Sequence, residues 1–406
     1  MLKLRWAPNA NPGSPGTDGY NAANDTLSVR FDPALQQVQQ FAKGTPGCAD
    51  ASPQLTAAID QWLSVVQGSR IIVMAHGYNF DPTGTVGGAD DDPFNLVYGV
   101  PGAAFGNAET VDYHNSWLPL VGETDNFGNN PVEIALAFAW MSSGDVQQYQ
   151  PAGWRNSYQY AALELAPLAA KALATVLKYL NSKNKFIYIL AHSLGTRLVS
   201  QAIQLLQPGV DDKQIQKLVL LGGAEFCPDA KANLLDGRGF EVFNVANRSD
   251  LVLQVGAEAA CAPFRAEGSG TELVIGRDGL MVAPNWLDIQ IDLDATANWL
   301  KQRKYSVSGS PDNQIHPASF MRHWVYYMNN GDPDHPDIDG GNRKFIKDLL
   351  ADPEMDIAWF RQSGFPGIVS VDGYGTIAPP APPPPDTYNG RVAMDNPQLA
   401  AAIGAG

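Results

Sequence analysis

A chain of 406 residues, 45% hydrophobic and 17% charged, can bury one large core or two smaller ones. Its 42 acidic residues outnumber its 27 lysines and arginines, the formal net charge is −15, and no basic block appears, which excludes a protein that tracks nucleic-acid phosphates. Three cysteines, Cys48, Cys227 and Cys261, lie far apart with no C-x-x-C pair, so neither a zinc site nor a disulfide framework is expected; buried free thiols suit a reducing compartment.

From the N-terminus, "MLKLRWAPNANPGSPGTDGY" turns to Pro, Gly and Asn where a secretory signal needs its apolar segment. A cytoplasmic location is therefore favoured over export without a recognisable signal. The next clear element is "RIIVMAHG" from Arg70, a short β-branched run closed by glycine, and four more follow: "EIALAFAW", "KFIYILAH", "KLVLLGG" and "FEVFNVAN". Short, near-continuous apolar runs of this kind are expected of parallel strands covered on both faces.

Helical stretches alternate with these strands. "YQYAALELAPLAAKALATVLKYL" sets Leu165, Leu168, Leu173, Val176, Leu177 and Leu180 at helical spacings, with a kink expected at Pro167. "LGTRLVSQAIQLLQ" does the same through Leu198, Ala202, Leu205 and Leu206, and Pro208 closes it. Glu164, Lys171 and Lys178 interrupt the longest apolar stretches, so no transmembrane segment is expected from a bilayer that needs roughly 18 apolar residues in a row.

The fold class that results is α/β, a mostly parallel central sheet flanked by helices. Residues 1–69 read as an N-terminal segment packing on the core, and residues 70–365 as the main domain. Within it, residues 81–131 form an irregular insertion after the first main strand, rich in Gly, Asp and Asn with aromatics between, suited to a lid, a pocket wall or a packed surface loop. Residues 366–406 carry "APPAPPPP" and read as a Pro-rich tail.

Chemistry enters at Ala191-His192-Ser193-Leu194-Gly195, between an apolar strand and a periodic helix. This is the nucleophile-elbow pattern with Ala for the first Gly: the sharp turn exposes Ser193, and the positions two before and two after must be small. The competing reading of Ser193 is an ordinary helix N-cap. Upstream, His76-Gly77-Tyr78-Asn79 follows the strand "RIIVMA"; glycine there lets the backbone fold toward Ser193, so the Tyr78 and Leu194 amides are the expected oxyanion donors. His76 is expected to hydrogen-bond the loop backbone rather than act as a base.

With "HGYN", "AHSLG" and "ANRSD" in that order, the chain resembles the α/β-hydrolases of the lipase and esterase kind over roughly residues 70–350. A poorly characterised bacterial group shares the His-Gly-Tyr-Asn and Ala-His-Ser-Leu-Gly motifs and an aromatic-ended strand like "LAFAWMSSGD". The resemblance implies a cofactor-free, metal-free serine hydrolase acting on a small-molecule or lipid-like ester. Its acid follows a strand after the nucleophile, which points to Asp250, with Glu225 and Asp229 as runners-up, and its catalytic histidine sits in a later loop.

Of six histidines, His316, His323 and His335 follow Asp250, while His114 lies in the insertion. His335 stands among carboxylates and prolines; His323, in "MRHWVYYMNNGDP", is followed by aromatics as in related hydrolases, and His316 is the alternative base. The run Asp332, Asp334, Asp337 and Asp339 lacks the spacing of an EF-hand and reads as a solvated turn rather than a calcium loop. Two other functions fit the same residues: an acyltransferase or thioesterase, and a non-catalytic scaffold binding a partner. Sequence leaves the oligomeric state open.

Overall fold

A computed structural model of the chain describes residues 2–7, 25–30, 39–43, 53–64, 66, 68–82, 93–98, 117–121, 134–143, 157–235, 237–248, 250, 252–253, 273–280, 283–305, 327 and 341–366. Its centre is a nine-stranded sheet: β1 (Leu2–Ala7), β2 (Asp25–Arg30), β3 (Gln39–Lys43), β4 (Arg70–Ala75), β5 (Ala135–Trp140), β6 (Phe186–His192), β7 (Ile215–Leu221), β8 (Glu241–Ala246) and β9 (Trp286–Gln290). The spatial order is β3-β2-β1-β5-β4-β6-β7-β8-β9. Seven strands, β1 and β4 to β9, run parallel, and β2 and β3 add an antiparallel edge.

The five apolar runs of the sequence are β4 to β8, and each is buried on both faces. Ile71, Val73 and Ala75 of β4 point into one core while Ile72 and Met74 point into the other. The same division separates Leu218 and Leu220 of β7 from Val219 and Leu221, as the two-residue period of a strand requires. The first core is covered by α1 (Pro53–Leu63), α5 (Ala166–Asn181), α6 (Leu194–Gln204) and α7 (Cys227–Leu234). The second is covered by α9 (Asp294–Gln302), α10 (Gly341–Ala351) and α11 (Ile357–Gln362). Three short helices complete the set: α2 (Pro93–Leu96), α3 (Leu118–Val121) and α4 (Ser157–Tyr160), and a further turn, α8 (Ile275–Asp278), lies before β9.

The helical stretch Tyr158–Asn181 is long and apolar enough to cross a membrane, yet it is mostly buried inside the fold and forms part of the first core. Just before Pro167, where a kink is expected, residues Ala161–Leu165 form a π-turn, with the Ala166 N–H reaching back to the Ala161 carbonyl. Proline has no N–H to give, so the Ala162 carbonyl five residues before Pro167 has no helical donor. Arg197 Nε of α6 supplies one at 2.8 Å. Leu205, expected on the apolar stripe of α6, lies just past its last residue and is exposed, because α6 ends at Gln204 before the predicted stop.

Of the insertion, Phe94, Val97, Tyr98, Trp117, Leu120 and Val121 are buried in the second core, so these portions are packed structure. The rest of the insertion, the acidic run Asp332–Asp339, Cys48, Cys261 and the tail beyond residue 366 lie outside the described residues. Cys227, half-buried at the start of α7, donates its thiol to the Gly279 carbonyl at 3.3 Å.

Candidate active site

The sheet order reverses at its middle: β5 lies on one side of β4 and β6 on the other, which opens a crevice at the carboxyl ends of β4 and β6. In open parallel sheets ligands bind at such a switch point. "HGYN" leaves β4 there and Ser193 leaves β6 there, so two motifs distant in sequence converge through topology alone.

Ser193 has φ 51° and ψ −125°, a region that residues with a Cβ avoid. A residue held there costs on the order of 1–3 kcal/mol and persists only where its surroundings over-determine it. They do. The Ser193 N–H donates to the Leu221 carbonyl at 2.9 Å, and the Ser193 carbonyl accepts from the amides of Thr196 and Ala224, both at 3.0 Å, and from Thr196 Oγ1 at 2.6 Å. Although Ser193 occupies the N-cap position of α6, its side chain makes no capping hydrogen bond. A serine that served α6 as a cap would have extended φ/ψ and a hydroxyl bonded to the helix; this one has neither.

Two glycines make the turn possible by what they lack. A Cβ on Gly195 would stand 2.4 Å from the His76 carbonyl oxygen and 2.5 Å from that of Ala75, so α6 rests directly on the end of β4. A Cβ on Gly77 would stand 2.9 Å from Ser193 Cβ, which means that the backbone leading into Tyr78 passes against the nucleophile candidate. Leu194 is the first residue of α6.

His76 is fully buried and both ring nitrogens are engaged. Nε2 accepts from the Trp140 N–H at 3.0 Å, which leaves the proton on Nδ1 to donate to the Gly77 carbonyl at 3.0 Å. Burial pushes its pKa down to about 3, so the ring stays neutral. Trp140 stacks on the imidazole and donates its indole N–H to the His76 carbonyl at 2.9 Å; the Tyr98 hydroxyl accepts from the His76 amide at 3.1 Å. Asn79 (φ 72°) and Phe80 are tied to Ser142 by the bonds Asn79 N to Ser142 O and Phe80 N to Ser142 Oγ. His76 thus holds the loop that passes Ser193.

Asp250, after β8, is fully buried. Its Oδ1 accepts from the amides of Val252 at 2.9 Å and Leu253 at 3.2 Å, and its Oδ2 accepts from the Tyr327 hydroxyl at 2.7 Å. Tyr327 is a site residue that sequence reasoning did not single out. Its only signal was its place four residues after His323. The runner-up acids are engaged elsewhere: Glu225 Oε1 accepts from Arg197 Nη1 at 2.5 Å and from the Phe226 amide at 2.9 Å, and Asp229 lies 3.4 Å from the same guanidinium. Burial pushes the Glu225 carboxyl up while Arg197 opposes it. His323, His316, His335 and His114 lie outside the described residues.

No match was found among curated proteins or among solved structures. Residues 52–234 match the model of a family described as "Alpha/beta hydrolase of unknown function (DUF900)". The matched stretch runs from α1 through α7, contains both "HGYN" and "AHSLG", and ends before Asp250. That match, on a parallel sheet whose strand-to-helix turns bear just these motifs, gives residues 52–234 the character of an α/β-hydrolase and supports membership of that superfamily.

Proposed function

We propose that this chain is a serine hydrolase of carboxylic esters that works through an acyl-enzyme. The observation that carries this reading is the Ser193 backbone, strained at φ 51° with a hydroxyl that caps nothing, at the switch point of the sheet. In this scheme Ser193 Oγ attacks the ester carbonyl carbon and its proton passes to His323, which Asp250 orients. The Tyr78 and Leu194 amides receive the oxyanion, and the positive end of α6 favours the same charge. As the ester C–O bond breaks, His323 returns the proton to the departing alcohol. Water then attacks the acyl-serine and gives its proton to His323, which passes it to Ser193 Oγ as the acyl C–O bond breaks and the acid is released.

His323 is supported over His316 by Tyr327: the chain four residues beyond His323 is bonded to Asp250. Asp250 is supported over Glu225 because Arg197 already occupies Glu225 Oε1. Esters are favoured over amides since an alkoxide leaves more readily than an amide anion.

The test is turnover of p-nitrophenyl esters of graded acyl length. Ser193→Ala is expected to abolish turnover, and His323→Ala to lower it by roughly 10³-fold or more while His316→Ala stays near wild type. Near-normal turnover in His323→Ala would overturn the assignment of the base. Transfer of the acyl group to added alcohol or thiol in preference to water would mark an acyltransferase instead.

A further inference from the structure

We propose that Tyr327 is a positioning residue of this site: its hydroxyl fixes the Asp250 carboxylate and tunes the charge that Asp250 presents to the catalytic histidine. The inference rests on the assignment of Ser193 and Asp250 given above.

Among the described residues, three donors to the buried carboxylate stand out. Two are backbone amides on Oδ1, those of Val252 and Leu253, and they come with the turn that follows β8. The third, on Oδ2, is a side chain from 77 residues away, the Tyr327 hydroxyl at 2.7 Å. The two amides restrain the same oxygen, Oδ1. Tyr327 adds the second point that defines the carboxylate plane.

The phenol is itself held on the nucleophile side. Its ring is fully buried and its centre lies 6.1 Å from that of His192, the residue before Ser193. It also lies against Gly222, where a Cβ would meet Tyr327 Cε2 at 2.5 Å and the hydroxyl oxygen at 2.7 Å. Gly222 has φ 51°, and its amide donates to the Val245 carbonyl of β8 at 3.0 Å. A single side chain therefore spans from the end of β6, across the turn after β7, to the acid after β8. Among the described residues, His192 lies across the ring, and the Arg248 carbonyl, two residues before Asp250, accepts from Arg277 Nε at 3.1 Å.

The hydroxyl aims the positive end of its dipole at the carboxylate and disperses part of its negative charge. Removing it leaves a carboxylate that is both less fixed and more strongly charged toward a neighbouring imidazolium. The first effect slows turnover. The second makes the imidazole retain its proton to higher pH, and the acid limb of the pH–rate profile moves upward.

The experiment compares full-length wild type, Tyr327→Phe, Asp250→Asn and the double variant for kcat/KM against pH on a p-nitrophenyl ester, with thermal midpoints alongside. Tyr327→Phe is expected to lower kcat by roughly ten- to a hundredfold, with its acid limb displaced to higher pH. Its effect on the Asp250→Asn background is expected to be small, because the two residues act through one group. A lowered thermal midpoint with an unmoved acid limb, or full multiplication of the two single effects, overturns the proposal and leaves the serine-hydrolase reading intact. Wild type without Ser193-dependent turnover, or Asp250→Asn indistinguishable from wild type, overturns the underlying assignment and the proposal with it. Should Tyr327→Phe not fold, 3-fluorotyrosine at position 327 keeps the shape and strengthens the donor; an acid limb moved to lower pH supports the proposal, and an unmoved one overturns it.

Discussion

At the scale of single residues, the site is built as much from what is small as from what reacts. Gly195 lets α6 sit on the carbonyls of Ala75 and His76, and the neighbours a Cβ would strike are backbone atoms that cannot rotate away. Gly195→Ala is therefore expected to destabilise the fold by about 1–3 kcal/mol, the usual cost of overpacking, and to lower turnover further by displacing Ser193. Equilibrium urea unfolding and ester kinetics on the same sample check both.

His76 makes a different demand. Its folded pKa is depressed to about 3 by burial, against an ordinary value of 6.5, so the unfolded chain binds the proton more readily. The stability that depends on neutral His76 is then fully present above pH 6.5 and is lost progressively as pH falls toward 3, by up to about 1.4 kcal/mol per pH unit. Relative to a His76→Asn variant, wild type is expected to lose its stability advantage over this range; urea midpoints that fall in parallel for the two proteins contradict the assignment.

At the scale of elements, the pairing of Arg197 with the π-turn accounts for a helix that carries a proline within its length. Arg197 meets three needs at once: the Ala162 carbonyl left without a helical donor, the buried Glu225 carboxylate and, more loosely, Asp229. Because it stands one turn after Ser193 on α6, it also ties this helix to the π-turn before α5 and to the segment after β7. Arg197→Met leaves a buried carboxylate and a carbonyl unpaired, and a loss of about 3–5 kcal/mol is expected in urea unfolding, the range for breaking a buried pair from one side. A comparable arrangement operates below the sheet. Lys217 of β7 donates to the carbonyls of Leu349 and Met355, both at 2.9 Å, and Arg70 of β4 to that of Leu350, so two strand cations close the end of α10.

These elements also show what sequence patterns carry and what they do not. Strands β4 to β8 and Ser193 were legible because a strand buried on both faces reads as an apolar run, and the elbow needs small residues at fixed offsets. Strand β1 escaped notice because Lys3 and Arg5 alternate with Leu2, Leu4 and Trp6, and only the alternation marks it. In β9, the central Asp288 breaks the apolar pattern. Asn244, the Trp286 indole and the Leu280 amide all donate to it where it is buried, partners that sequence cannot assemble. Tyr327 was hidden for the same reason: its role is a contact across 77 residues.

At the scale of the molecule, one sheet of nine strands brings three separate stretches to its carboxyl edge: the loop after β4, the turn after β6 and the segment after β8. Parallel strands make this convergence automatic, since every strand-to-helix turn emerges on the same side, and the reversal of order at β4 leaves room between them. Whether Ser193 is a nucleophile held under backbone strain is tested by intact-mass measurement after exposure to a fluorophosphonate. One covalent adduct on folded wild type, mapped to Ser193 and lost in Ser193→Ala, is the result predicted. No adduct on folded protein, under conditions that label a reference serine hydrolase, would contradict it.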